Sequence, residues 1–210
     1  MATHLQCVDD GLDPRILRTR QILRDTLSAL LHEKAFEAIS IQDIAERSTL
    51  NRATFYDHYS DKAALVEDFV LHSFNDLLKA RQPTKHTAFS SQVRSLILAA
   101  CDFFTQRTGE CSKHQRLLEP FVQSVIHKRL QQVLLDGLQK HSPDTNVSLS
   151  AATSSWTIYG AVTHWAQAEN RGEPEDFADA ISDLLRPIMK ISPSLMYNSA
   201  SKRQRPNRKA

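Results

Sequence analysis

Asn51, Arg52, Thr54, Tyr56, His58 and Lys62 follow one another at short intervals. A guanidinium, two hydroxyl groups, an imidazole and an ammonium in so short a run form an array of hydrogen-bond donors. Such an array suits phosphate oxygens, and at its leading end the edges of bases. Each residue alone is ordinary surface chemistry; the joint spacing carries the reading. Catalysis is poorly served. No Ser-His-Asp, Cys-His, phosphate-loop or paired-carboxylate pattern stands at a useful spacing, so no enzyme is expected. His114, His127 and His164 offer no i, i+4 pair, and Cys7, Cys101 and Cys111 match no zinc spacing. No metal and no cofactor are expected.

The elements that must position this array are short helices. Asn51 is a good N-cap for a helix from Arg52 to about His58, whose first N–H groups would point at a phosphate chain. A second short helix, Ile41 to about Ser48, precedes it, opened by a capping box of Ser40 and Asp43. Two short helices across a tight turn form a helix-turn-helix, with the second helix entering the major groove. Ile41, Ile44, Ala45, Leu50 and Phe55 can pack the pair onto a first helix, which Asp13 and Pro14 begin. Beyond it the apolar spacing stays helical: Val70, Phe74, Leu77 and Leu78; Phe89 to Phe104; Ile126 to Leu134; Phe177 to Ile188. No two-residue alternation bounded by turns occurs. Pro83 should end the fourth helix by about Arg81, Pro120 starts or kinks a helix, and Gly172 with Pro174 separates the last two. The fold class is therefore all-α, a helix-turn-helix three-helix module followed by a larger helical domain.

The unbroken run from Ile44 to Leu65, with Ala45, Leu50, Phe55, Tyr56, His58, Tyr59 and Lys62 at fixed positions, resembles the DNA-binding signature of the TetR family of bacterial repressors. Thr19 to Leu23 and Phe36 to Ala45 are similar as well. The resemblance implies phosphate or base contact by Arg52 and Thr54, phosphate contact by Tyr56 and Lys62, and a place near the backbone or a base for His58. It makes Tyr59 a packing aromatic. Two positions depart from the family, which usually has glycine at Thr49 and often at Ala53. A left-handed Thr49 would cost of order 1 kcal/mol, or the turn takes another geometry. Ala53 is still small enough for close approach to DNA. Arg15 and Arg18 are expected near phosphates, with Arg20 beside them, and Ser40 is counted with the DNA-contacting set. Acids outnumber bases over the first 65 residues, so binding should lean on a specific site and on dimerisation.

The resemblance further implies that residues 61–191 bind a small-molecule effector and form a homodimer. The dimer would pair helices at about Leu149–Arg171 and Glu175–Lys190 through Ala152, Tyr159, Gly160, Thr163, Ile181, Leu184, Leu185 and Ile188, unless these are intramolecular core. Phe103, Phe104, Phe121, Val125, Trp156, Tyr159 and His164 suit a concave ligand site, and equally an ordinary core. The expected partners are a palindromic double-stranded DNA operator, an unknown effector and a second copy. The alternative is a co-regulator acting through a protein partner instead of DNA. Expected boundaries are a disordered N-terminus over 1–12, the DNA-binding domain over 13–60, the effector-binding and dimerisation domain over 61–191, and a basic disordered tail over 192–210. Net charge is +2 over 210 residues, too small to argue for nucleic acid by itself. The opening residues lack an apolar core and no run suits a membrane helix, so a cytoplasmic protein with no membrane contact is expected.

Overall fold

A computed structural model describes residues 13–82, 88–107, 118–141 and 146–189. The expected termini over 1–12 and 192–210 lie outside the described residues. Among those described, eight α-helices and no strand occur: α1 (Pro14–Glu33), α2 (Ile41–Ser48), α3 (Arg52–His58), α4 (Lys62–Arg81), α5 (Phe89–Arg107), α6 (Glu119–His141), α7 (Val147–Gln167) and α8 (Pro174–Met189). A single 3-10 turn, Phe36–Ala38, joins α1 to α2.

Local chemistry sets most of the ends. The Asp13 carboxylate accepts from the Arg15 N–H at 2.8 Å, and Pro14 takes the first helical position of α1. Ser40 Oγ accepts from the Asp43 N–H at 3.1 Å while Asp43 accepts from the Ser40 N–H at 2.6 Å, a reciprocal capping box on α2. The Ser40 N–H and the Ser40 hydroxyl, which donates to the same carboxyl at 2.7 Å, together with Lys34 hold the half-buried Asp43 carboxyl down at about 2. Asp61 caps α4 through the Ala64 N–H at 2.8 Å, and α4 stops at Arg81, two residues before Pro83.

Leu23, Leu27, Leu30 and Leu31 of α1 are buried and pack α1 against α2, α3 and α4. The first half of α4 belongs to this small core, and its second half packs on α5 and α6. One continuous apolar cluster therefore crosses the expected boundary near residue 60. α5 is the central helix of the body, with Val93 and the stretch from Leu96 to Cys101 buried on nearly every side. On α6, Gly137 lies beneath Phe89, and a Cβ there would come within 2.0 Å of that ring. A residue without a side chain is what lets α5 begin so close to α6.

The last two helices differ from their expected spans. α7 opens at Val147, capped by Asn146, and stops at Gln167 instead of Arg171. Residues 168–173 turn back instead of continuing, with Trp165 Nε1 donating to the Gly172 carbonyl at 3.3 Å and the Arg171 guanidinium 5.4 Å from the indole centroid. α8 begins at Pro174 and carries Pro187 in its final turn.

Candidate nucleic-acid interface

The turn between α2 and α3 is a Schellman motif. The Leu50 N–H bonds to the Ala45 carbonyl at 3.1 Å and the Thr49 N–H to the Glu46 carbonyl at 3.2 Å. Thr49 sits between them at φ 58°, ψ 25°, so the left-handed geometry with its strain is the one adopted. Asn51 then caps α3, accepting from the Ala53 N–H at 3.0 Å. Phe55 is fully buried and anchors α3 by its inner side. Its outer side carries Asn51, Arg52, Ala53 and Tyr56 exposed together with the carboxylate of Asp57, and Thr54 and His58 are half-buried at the edges. Tyr56 is 49% exposed, a large aromatic with its phenol toward solvent. Arg15, Arg18 and Ser40 are exposed on the same module. The donor set read from the sequence thus lies mainly on the side of α3 opposite its packing face.

Lys62 is placed differently from the other donors. Its ammonium donates to the carbonyls of Phe36 at 2.7 Å and Ile39 at 2.5 Å and lies 4.2 Å from the Phe36 ring centroid. Burial lowers its pKa, against the pull of Glu37 and Asp43. The lysine closes the 3-10 turn against α4 and keeps one N–H beyond those two bonds for an outside acceptor.

Behind α3 runs a polar network that sequence reasoning missed. Tyr59 donates to Asp68 Oδ2 at 2.6 Å, and Arg24 donates to the same oxygen at 2.8 Å. Arg24 is 4% exposed and also bonds Gln21 at 2.8 Å. Arg20, expected near phosphate, has its guanidinium 5.7 Å from the Tyr59 ring centroid. Burial and the Asp68 charge raise the Tyr59 pKa, which keeps the phenol a donor. Burial, then the Arg20 charge, lowers the His58 pKa, so its imidazole is neutral near pH 7. The network ties α1, the end of α3 and α4 together across 44 residues of sequence, and no local motif announces such a contact.

In the body, the expected ligand residues separate into groups. Phe103, Phe104 and Tyr159 are buried together, with ring centroids 5.4 and 5.5 Å apart, and Phe103 meets Phe74 of α4 at 5.9 Å. Val125 is buried as well. The Tyr159 hydroxyl donates to Glu119 at 3.2 Å, and burial with the Glu119 charge raises its pKa. Burial lowers the pKa of the neighbouring Arg107. Phe121 points elsewhere, onto Phe36 of the helix-turn-helix module at 5.9 Å. Trp156, at 50% exposure, and the exposed His164 stand on the outer side of α7, because they fall off the helical face that Tyr159 shares with Val162. His164 does not join the buried aromatic cluster, and Trp156 meets only its edge, with its ring centroid 6.3 Å from that of Tyr159.

The expected dimer residues divide in the same way. Tyr159, Ile181 and Leu185 are buried within the protomer and are core. Gly160 and Leu184, the latter 63% exposed, face outward, and Ala152, Thr163 and Ile188 are half-buried beside them. Leu149 and Trp156 extend this outward stripe, and nothing lies within 4 Å of where a Gly160 Cβ would be. His127 of α6 stacks on Trp156 with centroids 3.9 Å apart, and its Nε2 is 3.0 Å from Ser155 Oγ. Among the described residues no group of three His, Cys, Asp or Glu could hold a metal, and no helix is long and apolar enough to cross a membrane.

Residues 23–69 match the model of the bacterial regulatory proteins of the tetR family. The chain is 37% identical over 68 residues to YxbF, an uncharacterized HTH-type transcriptional regulator of Bacillus subtilis, a match covering 32% of this chain and 18% of that protein. It is 28% identical over 163 residues to YdeS, another uncharacterized HTH-type transcriptional regulator of Bacillus subtilis, covering 71% of this chain and 78% of that one. Among solved structures, a TetR-family regulator of Streptomyces coelicolor A3 shares the fold with a TM-score of 0.60 and 16% identity, covering 86% of this chain and 99% of that one.

Proposed function

From a chain that belongs to the TetR family, and so to the DNA-binding transcriptional regulators, we propose a homodimeric repressor that leaves its operator when a small molecule enters the body. The observation that carries the DNA-reading half is α3 itself: Phe55 alone fixes it from within, and Asn51, Arg52, Ala53 and Tyr56 are left exposed on the other side. In the proposed complex Arg52 and Thr54 meet bases or phosphates at the leading end of α3. Ala53 permits close approach to the backbone. Tyr56, His58, Arg15, Arg18, Ser40 and the remaining N–H of Lys62 grip phosphates and set the register. Two copies present their α3 helices roughly 34–36 Å apart, one turn of a palindromic duplex.

The division of labour follows α4. Residues 13–60 read DNA, and residues 61–191 bind effector and dimerise. Ligand among Phe103, Phe104, Val125 and Tyr159 would push Phe103 against Phe74 and so shift α4. The Asp68 and Lys62 contacts then carry that shift to the module. The seam between copies uses Leu149, Ala152, Trp156, Gly160, Thr163, Leu184 and Ile188.

A gel-shift with genomic DNA upstream of the chain's own gene tests the reading. A specific complex that survives physiological salt is expected, and Tyr56→Phe should weaken it about fivefold, evenly across operator variants. No salt-resistant specific complex would sink the proposal, and a Tyr56→Phe effect confined to one base pair would reassign that residue to base reading.

A further inference from the structure

Four polar pins divide α4 along its length of roughly 30 Å. Lys62 and Asp68 hold it to the helix-turn-helix module. Asn75 accepts from Arg129 Nε of α6 at 2.7 Å, and Arg81 donates to Asp102 of α5 at 2.7 and 2.8 Å. The last pin stands on the wall of an open cavity of about 380 Å³, bordered also by Cys101, Trp165, Arg171, Glu173 and Pro174. That volume falls in the range of small-molecule sites. The cavity lies apart from the Phe103, Phe104 and Tyr159 cluster.

The walls have the chemistry of a site for flat cations. Asp102 already takes one guanidinium in a two-bond fork, and the Trp165 indole already has another, Arg171, 5.4 Å from its centroid. α5 and α7 end and α8 begins at this place, so their helix dipoles largely offset, and the side chains decide which charge the cavity takes. Glu173 on the border is exposed, and Glu175 stands 3.7 Å from Arg81. An anion fits less well. Arg81 is committed to Asp102, and the first turn of α8 carries Glu175 and Asp176. Cys101 adds no charge, because burial pushes its thiol up to about 12.

We propose that this cavity is a second regulatory site that takes a small organic cation with planar, delocalised charge, such as an amidinium or guanidinium. The cation stacks on Trp165 in place of Arg171 and competes with Arg81 for Asp102, which releases the far pin of α4 and loosens the hold on DNA. The DNA consequence rests on the regulator reading above, whereas binding does not.

The test therefore has two arms. Benzamidinium chloride is titrated into the full chain while the two tryptophan indole N–H resonances are followed by NMR, with Trp165→Phe assigning them. A saturable shift of the Trp165 resonance is expected, about tenfold weaker in the exposed variant Glu173→Gln and absent with neutral benzamide. Asp102→Asn should weaken it as well, but Glu173→Gln keeps the test sound if that variant folds poorly. No saturable shift, equal binding of benzamide, tighter binding of benzoate, or an unchanged Glu173→Gln would each overturn the site. In the second arm, benzamidinium at the concentration that half-saturates the wild type should weaken the wild-type DNA complex and leave that of Glu173→Gln, then about one-tenth occupied, nearly unchanged. A Trp165 shift with unaltered DNA affinity overturns the coupling to α4. Failure of the chain to bind any DNA overturns the regulator reading and leaves the first arm intact.

Discussion

Thr49 holds the left-handed position of the α2–α3 turn with a β-branched side chain, at φ 58°. Glycine reaches that region at no steric cost but gives up more chain entropy on folding. The balance favours Thr49→Gly by about 1 kcal/mol, which should raise the melting temperature by roughly 2–4 °C in a thermal scan; an unchanged or lower midpoint would show that the turn carries no strain. The reading helix offers a second single-residue test, in His58. Its folded pKa lies below the ordinary 6.5, through burial and Arg20. Its stability contribution is therefore complete above that value and is lost as pH falls through the folded pKa. DNA phosphates act in the opposite sense and raise the pKa, so binding should take up a proton. Operator affinity at fixed salt should rise roughly three- to fivefold from about pH 8 to pH 6, and the rise should shrink in His58→Gln; equal slopes for both proteins would place His58 away from phosphate. Caps were the most legible features at this scale. Asp13, Ser40 with Asp43, and Asn51 each bond within three residues of themselves, so sequence spacing alone defines the geometry.

Among the elements, α4 was foreseen in its extent but not in what it holds. Pro83 sets its end near Arg81, and the i, i+4 spacing of Val70 and Phe74 marks its buried face. Its polar contacts escape periodicity because Asp68, Asn75 and Arg81 lie on a helix that touches two groups of helices, and their partners stand 44, 54 and 21 residues away. The closure of residues 168–173 onto Trp165 was hidden for a similar reason. Gly172 marks a helix stop, but nothing in the spacing tells that the indole takes the Gly172 carbonyl and ends α7 early. The Tyr59–Asp68 bond is the most direct link between the end of α3 and α4. Tyr59 is 6% exposed and its hydroxyl bonds a carboxylate at 2.6 Å, so Tyr59→Phe removes a charge-assisted bond inside the fold. Asp68 keeps Arg24 in that variant, which limits the loss to about 2 kcal/mol. Urea unfolding should show the midpoint falling with an unchanged slope; a loss under about 0.5 kcal/mol would mean that the Arg24 bond to Asp68 needs no help from the Tyr59 hydroxyl.

At the level of the whole molecule, periodicity located the last two helices but could not tell their buried side chains from their exposed ones. Leu184 and Leu185 are the same residue side by side at the edge of the apolar face of α8, so spacing does not separate them, although Ile181 and Leu185 are 7% and 0% exposed and Leu184 63%. Exposure in the single chain separates them. Trp156 and Leu184 are large apolar side chains left half-open or more on the outer stripe of α7 and α8, beside a glycine with empty space above it. Burying each against a copy would contribute about 2 kcal/mol, counted twice by symmetry. Two carboxylates there would instead face their own images across a two-fold axis. The double variant Trp156→Glu, Leu184→Glu should therefore sediment as a monomer at micromolar concentration. Its helical circular dichroism should be unchanged, because neither side chain is in the protomer core. It should also lose operator affinity by at least about a hundredfold, since each half-site must then be held without help from the other. A variant that remains dimeric and holds its operator would place the interface on another face of the molecule.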